Sequence, residues 1–136
     1  MQLEEVGESY EIMPGCRVIE LTGHSPGSIG LEVETEDGIC ILTGDAVHNA
    51  SVALRGRSPL VFWNQQDADA SIKRVVESGA AIYPGHDMPF RLRDGEIDYL
   101  AEQSITVTGP PSTILDTTVR PAGEPWVMPG IEDQKL

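Results

Sequence analysis

The apolar residues of this 136-residue chain come in short runs, the longest four or five residues, such as Ile39-Cys40-Ile41-Leu42. A helix that crosses a bilayer needs about 20 consecutive apolar residues, so no membrane span is expected. Short runs bounded by Gly, Pro and Asp are instead the size of strands. Residues 16–21 read as a strand after the Pro14-Gly15 turn. Residues 28–35 place Ile29, Leu31 and Val33 at alternate positions with small or acidic neighbours between them, the period of a strand with one buried face. Glu36-Asp37-Gly38 supplies a tight hairpin turn, and residues 39–43 return as a mostly apolar strand that ends at Gly44-Asp45.

Residues 46–63 show no regular period and read as a long loop, a length usually associated with function or mobility. This stretch holds the one dense basic spot, Arg55-Gly56-Arg57, and ends in Phe62-Trp63. The aromatic pair is expected to pack in the core, the alternative being a wall beside a substrate. Residues 67–78 form the clearest helix: acidic residues stand near its start, Ile72, Val75 and Val76 recur at i, i+3 and i+4, and Gly79 occupies the place of a C-terminal cap. Residues 80–83 are a short buried strand that stops at Pro84-Gly85-His86-Asp87, which completes an α/β unit with a polar loop at its strand end, where ligands bind. Residues 97–107 fit neither period. Pro110, Pro111, Pro121, Pro125 and Pro129 crowd the end of the chain, which is expected to be an extended arm. The predicted organisation is a domain over residues 1–93 and a partly irregular extension over residues 94–136.

Nine Lys and Arg against 22 Asp and Glu leave a formal charge of −13. A phosphate backbone is bound mainly through basic side chains that release counterions, so nucleic acid and anionic membrane surfaces are poor partners. The N-terminus has neither the basic start nor the apolar core of a secretory signal, and the expected location is the cytoplasm. Cys16 and Cys40 lie inside strand-like runs with no CxxC pair and read as small buried apolar residues.

The three histidines all stand in strand-end or loop contexts: Gly23-His24-Ser25, Ala46-Val47-His48 and Gly85-His86-Asp87. A glycine turn at a strand end can aim a side chain toward others from neighbouring strands, which is how such sheets assemble metal sites. Gly44-Asp45 has the same strand-then-glycine context. Any one of these positions is ordinary; together they suggest a constellation.

Leu21-Thr22-Gly23-His24-Ser25-Pro26-Gly27-Ser28, then Leu42-Thr43-Gly44-Asp45, then Pro84-Gly85-His86-Asp87, in that order, resemble the C-terminal half of a metallo-β-lactamase superfamily hydrolase of the lactonase or glyoxalase-II-like branch. The resemblance covers residues 14–90. It implies an α/β (α+β) fold, half of a four-layer αββα sandwich with a mostly antiparallel or mixed sheet, a flanking helix and a Pro-rich C-terminal arm. It also implies that His24 is the third histidine on one zinc, Asp45 the carboxylate bridging two zincs and His86 the histidine on the second. Imidazole and carboxylate suit zinc, and manganese or iron sites use similar ligands. Asp87 reads as a turn former or an outer partner rather than a ligand. Ser28 stands where many relatives repeat a histidine that is usually not a ligand. His48 occupies the position where the lactone-cleaving branch has a substrate-facing tyrosine. There a histidine would orient the carbonyl or protonate the leaving alkoxide; the alternative is a surface loop residue.

The family's His-x-His-x-Asp-His motif is absent. Two protein ligands per zinc fall short of the three that a catalytic site generally needs, so the chain alone is not expected to hold a competent dinuclear centre. It resembles part of a longer enzyme, or one subunit whose partner is a polypeptide carrying the missing N-terminal half or a second copy. An uncovered apolar sheet face, and with it association or aggregation, follows from that reading. The implied activity is zinc-dependent hydrolysis of a small lactone or ester by a metal-bridging hydroxide, with Asp45 and His48 at the reacting centre. The alternatives are an inactive half-domain serving as an interaction or oligomerisation module, and a plain acidic binding protein.

Overall fold

The computed structural model of the chain describes residues 5–101 together with the backbone of residues 103–108 and 114–119. The alternation in the first strands and the Asp37-Gly38 turn build an antiparallel meander: β1 (Glu11–Met13), β2 (Cys16–Glu20), β3 (Ile29–Thr35) and β4 (Gly38–Gly44). Helices α1 (Ala50–Arg55) and α2 (Gln65–Glu77) then carry the chain over to β5 (Ala81–Pro84), which pairs parallel with β4. A parallel neighbour requires a crossover of this kind. Strands β6 (Phe90–Arg93) and β7 (Glu96–Tyr99) return antiparallel, and the seven strands lie in sequence order in one mixed sheet. Strands β8 (Gln103–Thr108) and β9 (Ile114–Val119) pair antiparallel in a separate two-stranded sheet.

The register Ile41↔Ile82 puts one row of side chains on the helix-covered face. There Ile19, Ile41, Ile82 and Phe90 meet Ile72 and Val75 of α2 and Ala50, Val52 and Ala53 of α1 in a single core. Ile72 and Val75 are fully buried, and each such side chain contributes about 1.5–3 kcal/mol relative to exposure. Asn49 caps α1 by accepting from the backbone N–H of Val52, and Asn64 caps α2 by accepting from that of Asp67. The register Leu31↔Leu42↔Tyr83 turns a second row to the opposite face. Leu42 and Tyr83 remain more than two-fifths exposed there, at 41% and 43%.

Several expectations need amendment. Residues 46–63 are not a continuous loop, because they contain α1. Ala50, Ser51, Val52 and Ala53 are all buried, which leaves only Leu54 and Arg55 outward, so this helix of six residues is too short to show an amphipathic period. The sheet also continues past Arg93 through β7. The ambiguous stretch 97–107 resolves into the end of β7 and most of β8, two strands too short to display their alternation. The five late prolines lie outside the described residues. Cys16 and Cys40 are free thiols, and burial raises the Cys40 pKa. Among the described residues, no helix is long and apolar enough to cross a membrane.

Candidate metal centre

The turn after β2 carries His24 and is pressed against the start of α2. A Cβ on Gly23, whose φ is +127°, would stand 2.1 Å from the Ala68 nitrogen, so no other residue fits this turn without moving the helix. The backbone N–H of Asn64 donates to the Gly23 carbonyl at 3.1 Å, that of Phe62 to the His24 carbonyl at 3.0 Å, and the Ser71 hydroxyl to the Thr22 carbonyl at 2.7 Å. The cap of α2 and the His24 turn therefore hold each other in place.

Asp45 and His48 follow β4, and His86 follows its parallel neighbour β5. The buried Thr43 hydroxyl donates to the Val47 carbonyl at 3.2 Å, which folds the chain back after Asp45. The backbone N–H groups of Gly85 and His86 donate to the carbonyls of Val47 and His48 at 3.2 and 2.8 Å, which extends the β4–β5 pairing into the two loops. A Cβ on Gly85 would lie 2.8 Å from Asp45 Oδ1, so glycine lets the turn pass directly over the carboxylate.

These constraints bring four side chains together. His24 Nε2 lies 3.5 Å from Asp45 Oδ2, and His86 Nε2 lies 3.0 Å from Asp45 Oδ1. Each carboxylate oxygen thus faces one histidine, the arrangement a bridging carboxylate needs. His24 Nδ1–H donates to the Leu60 carbonyl at 2.9 Å; a carbonyl only accepts, so the proton is on Nδ1 and Nε2 is free to coordinate. The His48 ring lies between the other two, 5.2 Å from His24 and stacked at 5.8 Å on His86. His48 is only 6% exposed, which excludes the surface-loop alternative. Burial lowers its pKa, opposed by the Asp45 charge and helped by the two flanking histidines, so the ring is favoured in its neutral, ligand-competent form. One donor atom each from His24, Asp45 and His48 lies within 4.8 Å of the others. Imidazole nitrogens and a carboxylate at this spacing fit a metal ion.

Asp87 is a structural anchor, as its position in the turn suggests. Its Oδ2 accepts from the Ala50 backbone N–H at 2.9 Å and from the Tyr99 hydroxyl at 3.3 Å, and its Oδ1 accepts from the Met88 N–H. The Tyr99 pKa is pushed up to about 12, by burial first and then by the Asp87 carboxylate. Phe62 and Trp63 are 79% and 63% exposed, which corrects the expectation that they pack in the core. The backbone of residues 62–64 is bound to the His24 turn, leaving the side chains at the rim, where the Phe62 ring meets His24 edge-on at 5.1 Å. Two contributors escaped the sequence reading. Ser58, only 2% exposed, lies 3.3 Å from His48 Nδ1, and the Leu60 carbonyl holds His24. No local signal marks either, because both act through residues far along the chain.

Comparison with known proteins bears on this geometry. No protein-family model matches the chain. It is 33% identical over 84 residues to an N-acyl homoserine lactonase of Bacillus cereus and 34% identical to one of Bacillus thuringiensis, in each case over 58% of this chain and 33% of the relative. A solved N-acyl homoserine lactone hydrolase, with the product N-hexanoyl-L-homoserine at its catalytic metal center, superposes with a TM-score of 0.52 at 35% identity, over 57% of this chain and 33% of that one. Over its matched segment the chain is similar to the N-acyl homoserine lactonases. The resemblance to the lactonase-like branch is thereby borne out at partial coverage, since the chain spans about a third of the length of these lactonases. The crystal structure of a "probable metal-dependent hydrolase" from Staphylococcus aureus shares the fold, with a TM-score of 0.53 at 20% identity, over 65% of this chain and 35% of that one.

Proposed function

We propose that this chain supplies half of the metal site of a hydrolase that opens a small lactone or ester. The observation that carries the reading is the Asp45 carboxylate held between His24 and His86 with one oxygen toward each. His24, Asp45 and His86 would hold the metal, zinc on the chemistry of the donors, with the carboxylate offsetting the repulsion between two cations. When bound, the metal supplies Lewis acidity and a water of lowered pKa. The chain's own residues do the rest. The Leu60 carbonyl fixes the His24 tautomer, Gly85 keeps the turn clear of the carboxylate, and His48 closes one side of the group with a neutral ring. Asp45 and His48 are the residues we place at the reacting centre. The exposed Phe62 and Trp63 side chains form an apolar rim against which an acyl chain would lie. In the reaction, water adds to the acyl carbon, the ring C–O bond breaks, and the leaving oxygen takes a proton, so that a lactone becomes a hydroxy acid.

The remaining ligands would come from a polypeptide carrying the N-terminal half of such a domain. The half-exposed row of Leu42 and Tyr83 supports such a partner. Metal analysis of the purified chain, alone and mixed with that polypeptide, tests the reading together with proton release from an N-acyl homoserine lactone. The expected result is close to two metals and lactone opening in the mixture. A mixture that binds no metal above background would sink the assignment and favour an interaction module built on the same sheet face.

A further inference from the structure

The bridging reading uses His24, Asp45 and His86 and leaves His48 without a metal role, yet His48 is the most enclosed of the four. His24, Asp45 and His48 offer donor atoms within 4.8 Å of one another. A histidine that ligates a metal through one ring nitrogen is held through the other by a hydrogen bond that sets its tautomer. His24 meets this requirement through the Leu60 carbonyl. His48 meets it through Ser58, and the backbone of the same residue, Leu60, serves both: the Ser58 hydroxyl accepts from the Leu60 N–H at 3.2 Å and donates to the Leu60 carbonyl at 3.4 Å. With its one proton directed to that carbonyl, Ser58 Oγ accepts from His48 Nδ1–H at 3.3 Å. Nε2 of His48 is then left with its lone pair as the coordinating atom. The ring separation of 5.2 Å between His24 and His48 and their inclination of 67° suit two imidazoles converging on one ion.

We infer that His24, Asp45 and His48 form a three-ligand site for one divalent metal within this chain, with Ser58 and the Leu60 backbone as its outer clamp. Three protein ligands and an open fourth position are what a mononuclear catalytic zinc site needs. The site does not depend on ligands from a second polypeptide, so the chain alone holds one metal. The inference rests on the hydrolase reading only in sharing His24 and Asp45, and it gives His48 a metal-bound role in place of the leaving-group role expected from the sequence. His86, with its side chain two-thirds exposed at 66%, lies outside this first site.

The test is titration of Co(II) and Zn(II) into the full chain, read by visible d–d absorption and by metal retained after desalting. One equivalent is expected. His48→Phe, which keeps an aromatic ring in the buried position, should weaken binding by at least about tenfold, and Ser58→Ala by about 10- to 100-fold. His86→Ala should leave this first equivalent in place. Far-UV circular dichroism checks that the variants fold. Should His48→Phe fail to fold, imidazole 15N NMR of the unmutated chain decides the matter, since saturation with zinc must shift His48 Nε2 to a coordinated position. No bound metal, undiminished binding in folded His48→Phe, or an unmoved His48 signal overturns the inference. Binding lost in His86→Ala and kept in His48→Phe also overturns it, while upholding the bridged pair. A chain that binds one metal through His48, yet forms no lactone-opening enzyme with the N-terminal polypeptide, leaves the three-ligand site standing and removes the hydrolase reading.

Discussion

Alanine at Gly23 should cost about 2–6 kcal/mol of stability, and the figure has two separable parts. The φ of +127° is strained for any residue with a Cβ, about 1–3 kcal/mol. The added methyl would also stand 2.1 Å from the Ala68 nitrogen and 2.3 Å from its Cα, where ordinary contact begins near 3.4 Å. The first turn of α2 must retreat by 3.4 − 2.1 = 1.3 Å, and overpacking of that kind costs about a further 1–3 kcal/mol. Gly38 isolates the first part: its φ is +105°, yet nothing lies within 4 Å of its would-be Cβ. Urea unfolding followed by circular dichroism should therefore rank wild type above Gly38→Ala and Gly38→Ala above Gly23→Ala. The two variants should differ by about 1–3 kcal/mol. The retreat also strains the Asn64 and Phe62 bonds that seat the His24 turn, so metal affinity should fall in Gly23→Ala and not in Gly38→Ala. Equal unfolding midpoints for the two variants would refute the argument that α2 is packed directly on this turn.

Tyr99 holds its proton more tightly folded than unfolded, with a pKa of about 12 against an ordinary 10, so its contribution to stability is complete below pH 10 and is lost as pH rises toward 12. Ultraviolet titration should show a tyrosine transition near pH 12 that Tyr99→Phe removes and Asp87→Asn moves to lower pH. The same Asp87→Asn change weakens the carboxylate contact at the start of α1 and should destabilise the fold by about 1–2 kcal/mol in urea unfolding. Saturating zinc should raise the thermal midpoint of the chain, by about 2.7 kcal/mol in stability at a hundred times the dissociation constant, and a chelator should reverse it. Tyr83→Ser on the half-exposed sheet face should reduce self-association measured by sedimentation, and an unchanged profile would exclude that face as the contact.

The sequence by itself determined the parts whose cause is local. Alternation at Ile29, Leu31 and Val33 specifies a strand with one buried face, Asp37-Gly38 specifies the hairpin, and Ile72, Val75 and Val76 before Gly79 specify α2. The glycine-flanked His24, Asp45 and His86, after β2, β4 and β5, were legible as one constellation because short motifs in a fixed order carried them. What surrounds those residues was decided by the tertiary structure. Helix α1 is too short to announce itself by a period, and it exists because its buried alanines and valine pack against α2 and β6. His48 reads as a loop residue until the β4–β5 pairing continues into the loops and encloses its ring between His24 and His86. Ser58 and Leu60 acquire meaning only when residues 58–64 fold back on the His24 turn, and the same fold-back turns Phe62 and Trp63 outward. A hydrogen bond between residues ten or thirty-six positions apart leaves no trace in local periodicity. Which ring nitrogen of His24 and of His48 is engaged by the surrounding loop was decided by those long-range contacts.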